Sequence, residues 1–146
     1  MILYCDTSAL IKRYVEEDGT ENVNEFWDSA SAVATSVVAF AEAMSVFNRK
    51  LREGVLSDKE YRETAKEFKA DYKNLLLVPV NDDLNVAIEN LLKRHPLRGF
   101  DAIHLASAMV FIHKDDVELF FACFDHNLNQ AARKEELNVI IKTIDS

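Results

Sequence analysis

Short, continuously apolar runs alternate along this chain with longer segments in which apolar residues recur every three or four positions. The first run, Ile2-Leu3-Tyr4-Cys5, ends at Asp6 and reads as a buried strand. A helix is expected from Ser8 to Glu17, with Thr7 or Ser8 as its cap and Gly19 just past its end, where a C′ glycine belongs. A short helix follows over Thr20 to Ser29, then a strand over Ala32 to Thr35. The clearest helix spans Ser36 to Arg52: Val37, Phe40, Ala41, Met44, Phe47 and Leu51 recur at helical spacing, and Gly54 follows the last turn. Ser57-Asp58-Lys59-Glu60 spells a capping box that opens a helix running to about Lys73.

Leu75 to Val80 reads as a strand interrupted by Pro79. Asn81-Asp82-Asp83 caps a helix whose inner face carries Leu84, Ile88, Leu91 and Leu92, and Pro96 stops it. Phe100 to Ile112 is apolar on nearly every side, which predicts a buried helix. A strand over Leu119 to Phe124, a short helix around Asn127 to Lys134 and a last strand over Val139 to Lys142 complete the chain. Apolar strands alternating with helices predict an α/β fold with a parallel sheet covered on both faces. No repeat or linker breaks the pattern, so one domain over residues 1–146 is expected.

Composition removes several function classes. Three glycines lie far apart, at Gly19, Gly54 and Gly99, so neither a dinucleotide-binding loop nor a P-loop is possible. Cys5 and Cys123 have no CxxC spacing and no neighbouring His pair, which leaves zinc unsupported and predicts buried free thiols. The stretch from Ala30 to Phe47 contains Thr35, Ser36, Glu42 and Ser45 and divides into strand and helix, so it is not read as a membrane span. A strand at the very start leaves no room for a signal peptide, and a cytoplasmic location is expected. The formal net charge of −8 argues against indiscriminate nucleic-acid binding and favours bound cations or a basic partner.

The acids carry the chemistry. In open parallel sheets, sites form at the carboxyl ends of strands. Asp6 ends the first strand, and Asp125 lies just past the fourth. Glu42 is the only charged side chain between Ser29 and Asn48, and Asp101 is the only acid between Phe100 and His113. Each has an ordinary structural explanation as well. Asp6 can cap the next helix, Glu42 can pair with a core Arg or His, Asp101 can be a first-turn acid, and Asp125 a turn aspartate. Converging carboxylates, however, need a cation to remain ionised together, and Mg²⁺ or Mn²⁺ takes oxygen ligands. Such a site can activate water against a phosphodiester. Bound cations reverse the local field, so the negative net charge does not forbid a phosphate substrate.

Ile2-Leu3-Tyr4-Cys5-Asp6-Thr7-Ser8-Ala9-Leu10, Glu42 in its helix, Arg98-Gly99-Phe100-Asp101-Ala102-Ile103-His104-Leu105-Ala106 and Phe124-Asp125-His126-Asn127-Leu128-Asn129-Gln130-Ala131-Ala132 resemble the four acidic segments of the PIN-domain family, in particular VapC-type toxin ribonucleases. The resemblance runs from Ile2 to about Ile141. It implies a three-layer α/β/α domain with a mostly parallel central sheet and Mg²⁺- or Mn²⁺-dependent endoribonuclease activity. It further implies inhibition by a cognate antitoxin protein and a homodimer. Asp6 and Asp101 would be the central metal ligands, Asp125 and Glu42 would complete the site, and Ser8 would orient a carboxylate or water. In one departure, Cys123 stands two residues before the fourth acid, where many members have Thr or Ser.

His104, one turn after Asp101, is read as a hydrogen-bonded core histidine, and His126 as a loop residue. Lys12 and Arg13, Arg49, Lys50 and Arg52, and Lys93, Arg94 and Arg98 are candidates for phosphate contact; equally, they are solvated charges of the kind favoured near helix ends. A haloacid-dehalogenase-type phosphatase needs an Asp where Ser8 stands, and a receiver domain needs a second acid beside Asp6. The competing reading from another class is a catalytically inactive PIN-like binding module, which a divalent-metal titration distinguishes from an enzyme.

Overall fold

In the computed structural model, which describes residues 1–112, 114 and 116–141, the strand that opens the chain lies at the centre of the sheet. This strand, β1 (Ile2–Cys5), pairs in parallel with β2 (Ala32–Ser36) on one side and β4 (Leu119–Ala122) on the other. The edges are β3 (Leu76–Val78) and β5 (Asn138–Val139), giving the order β3-β2-β1-β4-β5 with every pair parallel. The helices are α1 (Thr7–Lys12), α2 (Thr20–Ser29), α3 (Ala39–Arg52), α4 (Asp58–Tyr72), α5 (Asp82–Arg94), α6 (Gly99–Met109) and α7 (His126–Lys134).

Alternation along the strands sorts the helices into layers. Leu3, Cys5 and Ala122 face a core built with α1, α2, α3 and α4, whereas Tyr4 and Phe121 face a second core built with α5, α6 and α7. The result is the expected three-layer α/β/α arrangement. Both cysteines are free and buried. No helix among the described residues is long and apolar enough to cross a membrane.

Several elements differ from the sequence reading. The helix expected from Ser8 to Glu17 stops at Lys12, and its cap is Asp6 rather than Thr7 or Ser8. The chain leaves the helix at Arg13, and Tyr14 enters an aromatic cluster with Trp27, Phe47 and Phe68, its hydroxyl donating to Asp71 at 2.8 Å. Gly19 therefore ends nothing; it is the N-cap of α2, at φ 97°. Ser36 belongs to β2, so α3 starts at Ala39. The strands expected to reach Val80 and Phe124 end at Val78 and Ala122, and the last strand is Asn138–Val139, with Lys142 outside the described residues. On α5, Leu84 and Leu91 are buried as expected, but Leu92 lies past the edge of the stripe and is exposed. The largely apolar α6 is not covered all round, because Phe100 in its first turn is 54% exposed.

Gly19 supports a direct prediction. A Cβ there would stand 2.6 Å from Phe124 Cε1, and its φ is one that L side chains rarely adopt. Gly19→Ala should lower stability by about 1–3 kcal/mol, as overpacking does, read as a shift in the urea midpoint at unchanged m value. An unshifted midpoint would mean that Phe124 yields freely.

Candidate active site

The strand register brings the loops that carry Asp6 and Asp125 out of the sheet at the same edge. Cys5 pairs with Ala122, and the Asp6 amide donates to the Ala122 carbonyl at 3.0 Å as the two chains leave the sheet. Each acid then caps the helix that follows. Asp6 Oδ1 accepts from the Ala9 amide at 2.9 Å and from Ser8 Oγ at 2.7 Å, and Asp125 Oδ2 accepts from the Leu128 amide at 2.9 Å. Ser8 Oγ also accepts from the Phe124 amide at 3.3 Å, so one hydroxyl ties the two acid-bearing loops together. Asn129, buried in α7, donates to the Cys123 carbonyl at 3.0 Å and fixes the second loop from below. Cys123 Sγ reaches the backbone carbonyl of Asp125 at 3.7 Å and not its carboxylate.

Asp101 and Glu42 lie in the first turns of α6 and α3. All four sequence-predicted acids thus sit at helix starts, where the partial positive charge of the unpaired amides favours a carboxylate. They line one open cleft of about 620 Å³, together with Arg49 and Arg98.

Glu42 pairs with a core histidine, one of the alternatives open in the sequence, within a chain whose other members, Thr7 and Tyr4, the sequence reading missed. Thr7 Oγ1 donates to Glu42 Oε1 at 2.6 Å, and His104 Nε2 lies 2.9 Å from the same oxygen. On the other side of the ring, the Tyr4 hydroxyl is 2.8 Å from His104 Nδ1. A carboxylate only accepts, so Nε2–H donates to Glu42; in the neutral ring Nδ1 is then the acceptor for Tyr4. His104 is indeed a hydrogen-bonded core histidine, yet it is also the core partner of Glu42. The signal for this was a lone histidine one turn beyond Asp101 on an otherwise apolar helix.

The acids differ electrostatically. Burial raises the Asp6 carboxyl above its ordinary value, and the His104 ring and the bonds from Ala9 and Ser8 offset this only in part. Burial also acts upward on Glu42, but the hydrogen bonds from His104 and Thr7 outweigh it and the net shift is down. Of the basic residues singled out from the sequence, most are engaged elsewhere. Lys12 and Lys50 pair with Glu17, Arg13 with Asp28, Lys93 with Glu89 and Arg94 with Glu135. Of the remaining three, Arg49 and Arg98 line the cleft and Arg52 does not. Arg98 Nε is 3.1 Å from Asp101 Oδ2 and its Nη2 is 3.8 Å from Asp125 Oδ1.

The donor set suits a hard divalent cation: every acid offers oxygen, and the hydrogen bonds of Asp6 engage Oδ1 alone among the described residues. A guanidinium already stands as a cation against two of the acids. Among the described residues, no three His, Cys, Asp or Glu side chains stand together as a group that could hold a metal ion in this arrangement. Glu42 is bound by Thr7 and His104 rather than by Arg98.

A parallel sheet with an acid-lined cleft past β1 and β4 is the architecture expected of a PIN fold, and the chain belongs to the PIN domain family, whose model matches residues 3–134. Over 144 residues it is 26% identical to Ribonuclease VapC45 of Mycobacterium tuberculosis (strain CDC 1551 / Oshkosh), covering 99% of this chain and 98% of that protein. Among solved structures it is similar to FitAcB from Neisseria gonorrhoeae, with TM-score 0.65, 17% identity, and 95% and 96% of the two chains covered. It is likewise similar to the sarcin-ricin loop cleaving toxin VapC20 of Mycobacterium tuberculosis, with TM-score 0.63, 18% identity, and 88% and 94% covered.

Proposed function

We infer that this protein is a cytoplasmic, metal-dependent endoribonuclease, the toxin of a type II toxin–antitoxin pair, with one nuclease domain spanning residues 1–146. The observation that carries the reading is the delivery of four carboxylates to one cleft by four separate elements. Family membership and the ribonuclease names of its relatives support it. Asp6, Asp101 and Asp125 would hold Mg²⁺ or Mn²⁺, with Glu42 completing the site. Such an ion, when bound, lowers the pKa of a water and neutralises charge on the phosphate under attack. Ser8 holds the Asp6 carboxylate and the Phe124 amide in fixed relation, which orients the ligand oxygens. Thr7 and His104 bind Glu42 Oε1, so Oε2 is the oxygen that can face the ion or its water. Arg49 supplies a positive charge toward the RNA backbone at the cleft wall.

Structures similar in fold include a VapBC2 complex from Rickettsia felis bound to a promoter DNA fragment. By analogy a small antitoxin partner is expected here, offering a basic segment whose arginine reaches the carboxylates. A homodimer is expected as well. The test is RNA cleavage by protein freed of contaminating nucleases. EDTA should stop cleavage, and added Mn²⁺ or Mg²⁺ should restore it. Full cleavage in EDTA overturns the reading.

A further inference from the structure

We propose that Arg98 is a displaceable internal cation: it occupies Asp101 and Asp125 until a divalent ion takes them, and then binds an RNA phosphate at the mouth of the cleft. This rests on the ribonuclease reading above and adds a residue to it.

Arg98 is the N-cap residue of α6, and its side chain makes no capping bond. That position favours Ser, Thr, Asp or Asn, and a cation beside the positive end of a helix is unfavourable. The helix end by itself therefore does not favour arginine here; its partners are Asp101, an i,i+3 neighbour in the first turn of α6, and Asp125 at the start of α7. Its Nε donates to Asp101 at 3.1 Å, while the nearest approach to Asp125 is 3.8 Å, beyond a direct hydrogen bond. Only one of its five N–H donors is thus committed to a carboxylate at bonding distance. The side chain is 80% exposed, so the pair is solvent-screened and breaks easily.

Guanidinium and divalent ion compete for the same oxygens, since like charges repel. Once displaced, the guanidinium remains tethered at the cleft wall, with a planar fork suited to phosphate. Metal and RNA then help each other. RNA draws Arg98 off the acids, which favours the ion, and by linkage the ion favours RNA to the same degree.

Arg98→Met tests both halves, and an exposed residue can be changed without loss of fold. Mn²⁺ binding is measured by calorimetry, and binding of a mixed-sequence 2′-O-methyl oligoribonucleotide is measured with Mn²⁺ over a range of salt. The variant should bind Mn²⁺ about two- to fivefold more tightly, as loss of an exposed ion pair allows. It should bind RNA more weakly, with a salt slope smaller by about one. Arg98→Lys should restore the salt slope but not the full RNA affinity. Unchanged or weaker Mn²⁺ binding by Arg98→Met overturns the competition, and unchanged RNA binding overturns the phosphate role. Wild-type protein that binds neither Mn²⁺ nor RNA and cleaves nothing overturns the ribonuclease reading itself, and this inference with it.

Discussion

Replacing Asp6 with Asn should abolish RNA cleavage and leave the metal-free protein more stable than the wild type. Burial raises the Asp6 carboxyl, so its ionised form is less favourable in the folded chain than in the unfolded one. A group raised in this way supports folding at low pH, and that support is lost as pH rises through its folded value. At neutral pH the wild type therefore folds around an unfavourable charge, and Asn removes it. Asn also keeps the cap toward the Ala9 amide, so α1 loses little. The variant's advantage in melting temperature should be full at neutral pH and close as acid protonates wild-type Asp6. Cleavage should fall by more than about 100-fold, the upper range for changes outside the ligand shell. Asp101→Asn should be as inactive, with stability within about 1 kcal/mol of wild type, because its partner Arg98 is exposed. Added Mn²⁺ should raise the melting temperature of the wild type and much less that of either variant. An Asp6→Asn protein that still cuts RNA would remove Asp6 from the site.

His104→Leu should damage both stability and turnover. The Tyr4 hydroxyl is fully buried and hydrogen-bonded to His104, so leucine leaves a buried polar group unpaired, a loss of about 1–3 kcal/mol. Glu42 keeps Thr7 but loses the ring that fixes its carboxylate from below, and cleavage should drop by about 10- to 100-fold. His104→Gln carries an amide N–H toward Glu42 and should recover part of the cleavage without recovering full stability. Equal cleavage by the leucine and glutamine variants at a temperature where both are folded would show that Glu42 does not depend on His104.

These two residues mark how far the sequence could be read. Asp6 was legible because it ends an apolar run, a position that topology alone sends to the functional edge of a parallel sheet. The Ser57 capping box and the Asn81 cap were legible because caps are local chemistry, and both form as expected. The end of α1 was not, because Gly19 suits two opposite roles, and only the packing of Tyr14 against Phe47 and Phe68 chooses between them. His104 was placed in the core correctly, but its partner lies 62 residues away in the chain, and no periodicity reports that. Arg98 was legible as a candidate phosphate contact before Asp101, but not as a partner of the acids. Its reach toward Asp125 depends on where α6 and α7 begin relative to each other, which the sheet decides.

The central position of β1 also sets the order of events during synthesis. Its register with β4 joins residues 2–5 to residues 119–122, among the most distant pairings the chain contains. Nonlocal pairing of this kind must close a long loop before any contact rewards it, so it forms late and slowly. A growing chain carries Asp6 and Glu42 long before Asp125 exists, and before Ser8 has a Phe124 amide to bind. On the proposed site, unfinished chains lack its fourth acid, and the cleft that Asp125 and Phe124 line is complete only once β4 has docked beside β1.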